Sequence, residues 1–241
     1  MTSRKILSQS VPVQVEGYYL VRQPAGEGPW PLLIGFHGYG ETAEIQMERL
    51  EAIPGTKNWL LASVEGLNHF YPKNHNAAGA SWMTSRRREQ AIQQNMDYVD
   101  GVVESLIRQY ATPDTLVYAG FSQGAAMAAR AAVLCKSGCS GLVMMGGDVP
   151  EELNAAQLSD IGSCMLARGK KDRAFSAERM KADAERMRKA GAQVRCETVE
   201  GGHGWPEEFG KIVGEYLETL WERELKDAPA NADLGAHEKQ E

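Results

Sequence analysis

A short apolar segment, Leu116-Val117-Tyr118-Ala119, runs into Gly120-Phe121-Ser122-Gln123-Gly124 and then, with no spacer, into the alanine-rich stretch Ala125–Leu134. The first reads as a buried strand and the last as a helix. A Gly-x-Ser-x-Gly turn between a strand and a helix is the context of a nucleophile elbow. The turn forces its serine into a strained backbone conformation. A Cβ at Gly120 or Gly124 would crowd the neighbouring strand and helix. The strain holds the Ser122 hydroxyl above the sheet edge, and the following helix aims its first N–H groups at any oxyanion formed there.

The rest of the chain repeats that alternation. Leu32-Leu33-Ile34-Gly35-Phe36, Trp59–Val64, Gly141–Met145 and Cys164–Ala167 are near-continuous apolar runs, as expected of strands covered on both faces. Gln193–Val199 reads as the last strand, and Val11, Val13 and Val15 alternate with polar residues in a half-exposed strand continuing towards Tyr18–Val21. Helical periodicity covers roughly 43–52, 86–110, a segment between Ser176 as N-cap and Gly191 as stop, and a last helix opened by Pro206. Residues 65–83 show neither period, and a loop of that length is usually functional. The expected fold is α/β, with a mostly parallel central sheet and helices on both faces. Residues 1–225 form one domain, and 226–241 read as a polar, disordered tail.

Composition narrows the function. The formal net charge of −6 argues against a nucleic-acid groove. No apolar run is long enough to span a bilayer, and no export signal is visible near Met1. The four cysteines include no C-x-x-C pair, so free thiols in the cytoplasm are expected. A homodimer stays open. No metal or organic cofactor is implied, because His and Cys are not at ligand spacing.

A serine needs a base, and the base an orienting acid. On this kind of sheet the chain order is Ser, acid, His. Two histidines follow Ser122: His237 in the polar tail, and His203 in the turn Gly201-Gly202-His203-Gly204, which we take as the base. Asp172 and Asp148 each follow a strand and compete for the acid. Asp172 stands after the strand next to the one that leads to His203. Asp148 precedes Val149-Pro150 and could instead cap a helix starting there. We assign the acid to Asp172. The oxyanion hole needs two backbone N–H groups, expected from Gln123 and from Tyr39 in His37-Gly38-Tyr39-Gly40. His37, Phe70, Tyr71 and Trp82 are the candidate substrate-pocket residues. Two of them carry alternatives: His37 could lock the glycine turn, and Trp82 could anchor the central helix.

Together, His37-Gly38-x-Gly40, Gly120-Phe121-Ser122-Gln123-Gly124, Gly169 with Asp172, Gly202-His203 and the pair Ser81-Trp82 resemble the α/β-hydrolase superfamily. Within it they are similar to the phospholipase/carboxylesterase branch that includes acyl-protein thioesterases. The similarity runs from about Pro31 to Leu220, and the lead-in Gly169-Lys170-Lys171 resembles the family's acid turn. Four features depart from the pattern: Ala125 for a second glycine, Glu41 for aspartate, Met83-Thr84 for Phe-Asp, and Arg173-Ala174-Phe175 for a valine-containing turn. None removes a catalytic group; all bear on the acyl site. The resemblance implies a serine hydrolase acting on a small-molecule carboxylic ester, with a thioesterase or lysophospholipase using the same groups as the alternative. A hydrolase fold that has become a silent binding protein is the rival of a different class.

Overall fold

The computed structural model describes residues 6–73, 77–110, 112 and 114–227. Seven strands form one sheet: β1 (Tyr19–Arg22), β2 (Leu32–Phe36), β3 (Leu60–Val64), β6 (Leu116–Phe121), β7 (Gly141–Met145), β8 (Ser163–Gly169) and β9 (Gln193–Val199). Their spatial order is β1-β3-β2-β6-β7-β8-β9. Only β1 runs antiparallel, against β3. The helices are α1 (Ala43–Glu51), α2 (Arg88–Gln109), α3 (Gln123–Leu134), the single turn α4 (Ala155–Leu158), α5 (Ala177–Lys189) and α6 (Glu207–Asp227).

The apolar runs are continuous because both sheet faces are covered. Along β2, Leu32, Ile34 and Phe36 join one core with residues of α2, α3 and α5, while Leu33 joins the other with residues of α1 and α6. β6, β7 and β8 divide the same way, with the period of two that a strand imposes. Neighbours β2 and β6 lie where the chain order reverses: from β2 it continues outward to β3, from β6 outward to β7. Ligands bind beyond the carboxyl ends of strands at such a switch point. The turn after β2 carries His37–Gly40, and the turn after β6 carries Ser122.

Three local expectations need correction. Residues 6–18 form no strand, and Val11, Val13 and Val15 are exposed; Pro12 lacks an N–H for a ladder, and pairing begins only at Tyr19. The segment 65–83 is not wholly irregular, since β4 (Asn68–Phe70) and β5 (Gly79–Ser81) form a small antiparallel sheet. No helix starts at Pro150. The short α4 begins at Ala155 instead, with Asn154 and Gln157 forming its capping box. The polar tail lies outside the described residues from 228 on, together with His237, and residues 226–227 belong to α6.

Candidate active site

The elbow is built by close backbone contacts. Ser122 adopts φ 53° and ψ −118°, a conformation few side chains tolerate. Its N–H donates to the Met145 carbonyl at 2.8 Å, which ties the turn to the end of β7. A Cβ at Gly120 would stand 2.1 Å from the Gly124 carbonyl oxygen, and one at Gly124 would stand 2.1 Å from the Phe36 carbonyl oxygen. Neither neighbour is a flexible side chain. Gly124→Ala is therefore expected to force α3 away from β2, at about 3 kcal/mol, the upper range for overpacking. For a chain this size that lowers Tm by roughly 6–12 °C. Thermal melting checks it, and an unchanged Tm would refute the contact.

His203 comes from the turn after β9. A Cβ at Gly169 would lie 2.1 Å from the Gly202 carbonyl oxygen, so glycine there lets the histidine turn approach the end of β8. His203 Nε2 lies 2.8 Å from Ser122 Oγ, and Nδ1 lies 2.8 Å from Asp172 Oδ2. The other carboxylate oxygen, Oδ1, accepts the N–H groups of Ala174 at 2.8 Å and Phe175 at 3.0 Å. Burial pushes the Asp172 carboxyl up, but the Phe175 N–H, the His203 ring and the Ala174 N–H outweigh it and hold the group below its usual range. Buried Arg168 braces this turn by donating to the carbonyls of Phe175 at 3.0 Å and Asp172 at 3.1 Å.

Asp148 is occupied elsewhere. It pairs with Arg179 of α5, and burial pushes its carboxyl up in spite of that partner.

In the turn after β2, the N–H groups of Gly38 and Gly40 and the Gly38 carbonyl all have partners. Gly38 N–H donates to Glu41 Oε2 at 2.7 Å, and Gly40 N–H donates to the Ala80 carbonyl at 2.9 Å. The Gly38 carbonyl accepts Glu41 N–H at 3.2 Å and His37 Nδ1 at 2.7 Å. Neither Tyr39 N–H nor Gln123 N–H has an acceptor among the described residues. Gln123 N–H opens α3, where the helix supplies none. The Gln123 side chain is fixed in turn: its amide oxygen accepts Trp82 N–H at 2.9 Å and Ser81 Oγ at 3.2 Å, and its amide nitrogen donates to the Met83 carbonyl at 3.0 Å.

Two pocket expectations are corrected. His37 and Trp82 are both 0 % exposed and line no pocket. His37 Nε2 accepts the Gly66 N–H at 3.0 Å, which leaves Nδ1 as the donor to Gly38, and burial pulls its pKa down. Trp82 donates from its indole to the His37 carbonyl at 2.9 Å and packs edge-on against Phe36. The two rings wedge the turn from behind. Tyr39 is 60 % exposed and meets half-buried Phe70 with ring centroids 4.9 Å apart. Tyr71 is 75 % exposed.

The His203 turn, residues 200–206, borders a shallow cavity of about 280 Å³. A groove of about 900 Å³ between Trp30, Trp59 and Trp221 lies at the amino ends of β2 and β3, the far end of the sheet from Ser122. Among the described residues, no group of three or more His, Cys, Asp or Glu is placed to hold a metal, and no helix is long and apolar enough to cross a membrane.

With this geometry in view, comparison with known proteins gives a family. A model described as Phospholipase/Carboxylesterase matches residues 21–221. The chain belongs to the phospholipase/carboxylesterase family. The fold of this family member is the α/β-hydrolase fold. Bacillus cereus carboxylesterase superposes with a TM-score of 0.69 at 17% identity, over 85% of this chain and 94% of that one. Mesorhizobium loti carboxylesterase gives 0.69 at 17%, over 84% and 94%. Zea mays acyl-protein thioesterase 2 gives 0.65 at 18%, over 85% and 99%. At such identities the likeness is one of fold. No curated protein matches the sequence. Within this phospholipase/carboxylesterase chain, sequence reasoning missed Arg168, which reads only as the residue after the strand Cys164–Ala167, and the pair Glu41 and Arg49. The only visible signal for that pair was the glutamate after Gly40.

Proposed function

We propose that the protein is a serine carboxylesterase that works through an acyl-enzyme. The observation that carries this reading is the hydrogen-bonded line from Ser122 through His203 to Asp172, 2.8 Å at each step. An ionised Asp172 accepts from Nδ1, which leaves Nε2 free to take the serine proton. Ser122 Oγ then attacks the ester carbonyl. The resulting oxyanion is held by the N–H groups of Gln123 and Tyr39. His203 returns the proton to the leaving alcohol. A water, deprotonated by His203, attacks the acyl-enzyme, and the acid leaves as Ser122 recovers its proton. The free thiols, exposed Cys196 among them, fit work in a reducing cytoplasm.

Tyr39 and Phe70 face each other beside the oxyanion turn and give an acyl group a short aromatic wall. We read from this a preference for short to medium acyl chains. A series of p-nitrophenyl esters tests it, with kcat/KM expected to peak at short or medium chains. A palmitoyl ester hydrolysed as well or better would remove the short-chain preference. Matched thioesters run beside the esters separate the two leaving groups. Folded protein that neither turns over any ester nor labels at Ser122 with a fluorophosphonate would overturn the enzyme reading.

A further inference from the structure

Glu41 is the first residue after the oxyanion turn, and Arg49 lies two helical turns further on, in α1. The side chains meet as a two-pronged pair: Arg49 Nη1 donates to Glu41 Oε2 at 2.6 Å and Nη2 to Oε1 at 2.7 Å. Such a fork fixes both groups in plane and is stronger than a single contact. Both side chains are mostly withdrawn from water, so screening weakens the pair less than at an open surface. The same Oε2 accepts the Gly38 N–H at 2.7 Å. On its other side the Arg49 guanidinium stands over the Phe121 ring, 4.6 Å from its centroid. The Phe121 ring in turn lies 4.9 Å from the His203 ring. One chain of contacts therefore joins the oxyanion turn to the proposed base through the residue that precedes Ser122.

We propose that Glu41 and Arg49 are positioning residues for the reaction: Glu41 fixes the Gly38–Tyr39 peptide of the oxyanion turn, and Arg49 holds Phe121 as the backstop of the His203 ring. The inference rests on the proposed esterase reading. Glu41 occupies the Gly38 N–H and Ala80 the Gly40 N–H, which leaves the Tyr39 N–H for an oxyanion. Without the Arg49 fork, the Glu41 carboxylate has no anchor, and Gly38 loses a fixed acceptor. Without the guanidinium, the buried Phe121 ring loses its packing on that face, and the wall behind His203 is less firmly held. Displacements well under 1 Å at both groups cost rate without changing what the pocket binds.

The test uses full-length protein carrying Arg49→Met, which keeps most of the apolar stem, and Arg49→Lys, which keeps the charge but not the fork. Both should lower kcat on a short p-nitrophenyl ester about 10–100-fold while KM stays within about twofold. Amide hydrogen exchange should accelerate about tenfold at Gly38 in both variants, with Leu33 and Ile34 of β2 unchanged. Unchanged kcat together with unchanged Gly38 exchange would overturn the proposal. So would a uniform rise in exchange across β2 with a matching fall in Tm, the mark of a purely structural pair. If wild-type protein neither turns over esters nor labels with a fluorophosphonate, the esterase reading fails by itself. In that event Gly38 exchange still decides whether the pair fixes the turn.

Discussion

Ser122→Ala is expected to lower kcat by about 10⁶-fold, the scale seen when a serine protease loses its nucleophile. The fold should hardly notice. Ser122 Oγ makes its side-chain hydrogen bond to His203 and the pair is open to solvent, so its loss costs about 1 kcal/mol, or roughly 2–4 °C in Tm. The backbone conformation adds a second arm. At φ 53° and ψ −118° alanine keeps the strain, whereas glycine relieves it. Ser122→Gly should therefore be as inactive as Ser122→Ala yet melt no lower. Steady-state turnover and thermal melting on the three proteins check both points. Residual activity above about 1% of wild type in Ser122→Ala would place the nucleophile elsewhere.

How far the site could be read from sequence follows from how local each signal is. Ser122 needs only its flanking strand, helix and glycines, all within a few residues. His203 and Asp172 are far away; chain order picks out His203 once the polar tail is set aside, whereas Asp172 and Asp148 both satisfy that order and only the adjacency of β8 to β9 favours Asp172. The core strands were legible because burial on both faces leaves an unbroken apolar run. The aromatic residues were not sortable. Trp82 and Tyr39 have similar polarity, and only the tertiary fold sends the first behind the turn and the second to the surface. The capping alternative for Asp148 failed for the same reason. Its partner Arg179 is distant in sequence and reads as one more basic residue on the outer face of α5. Likewise β4 and β5 are too short to show a period. β5 is defined as much by its backbone bonds with Gly40 and Glu41 as by β4, and no pattern within residues 65–83 carries that information.

Asp172→Asn is expected to cost kcat up to about 10⁴-fold, again on the serine-protease scale, and Asp148→Asn very little. In Asp172→Asn the amide oxygen can still accept the N–H groups of Ala174 and Phe175, so the turn persists. The amide nitrogen then faces His203 Nδ1 and, being a donor, demands an acceptor there. That moves the ring proton to Nε2, where it can no longer accept from Ser122. Stability shows a distinct pH signature. The folded-state pKa of Asp172 is depressed, so its carboxylate contributes stability that is present above the unfolded value of about 3.9 and lost as pH falls through the folded value. The asparagine variant lacks this contribution. It should melt somewhat below wild type at pH 7, and the gap should narrow as pH falls below about 4. Asp148 carries the opposite sign, its folded pKa being raised, so neutralising it removes no such contribution. It caps no helix, and its contact with Arg179 is a partly exposed pair worth at most about 1 kcal/mol. Asp148→Asn should therefore keep kcat within about twofold, with Tm within about 4 °C of wild type. Turnover at pH 7 and melting from pH 7 to pH 3 on both variants decide the matter. Loss of turnover in Asp148→Asn with Asp172→Asn active would move the acid to the end of β7.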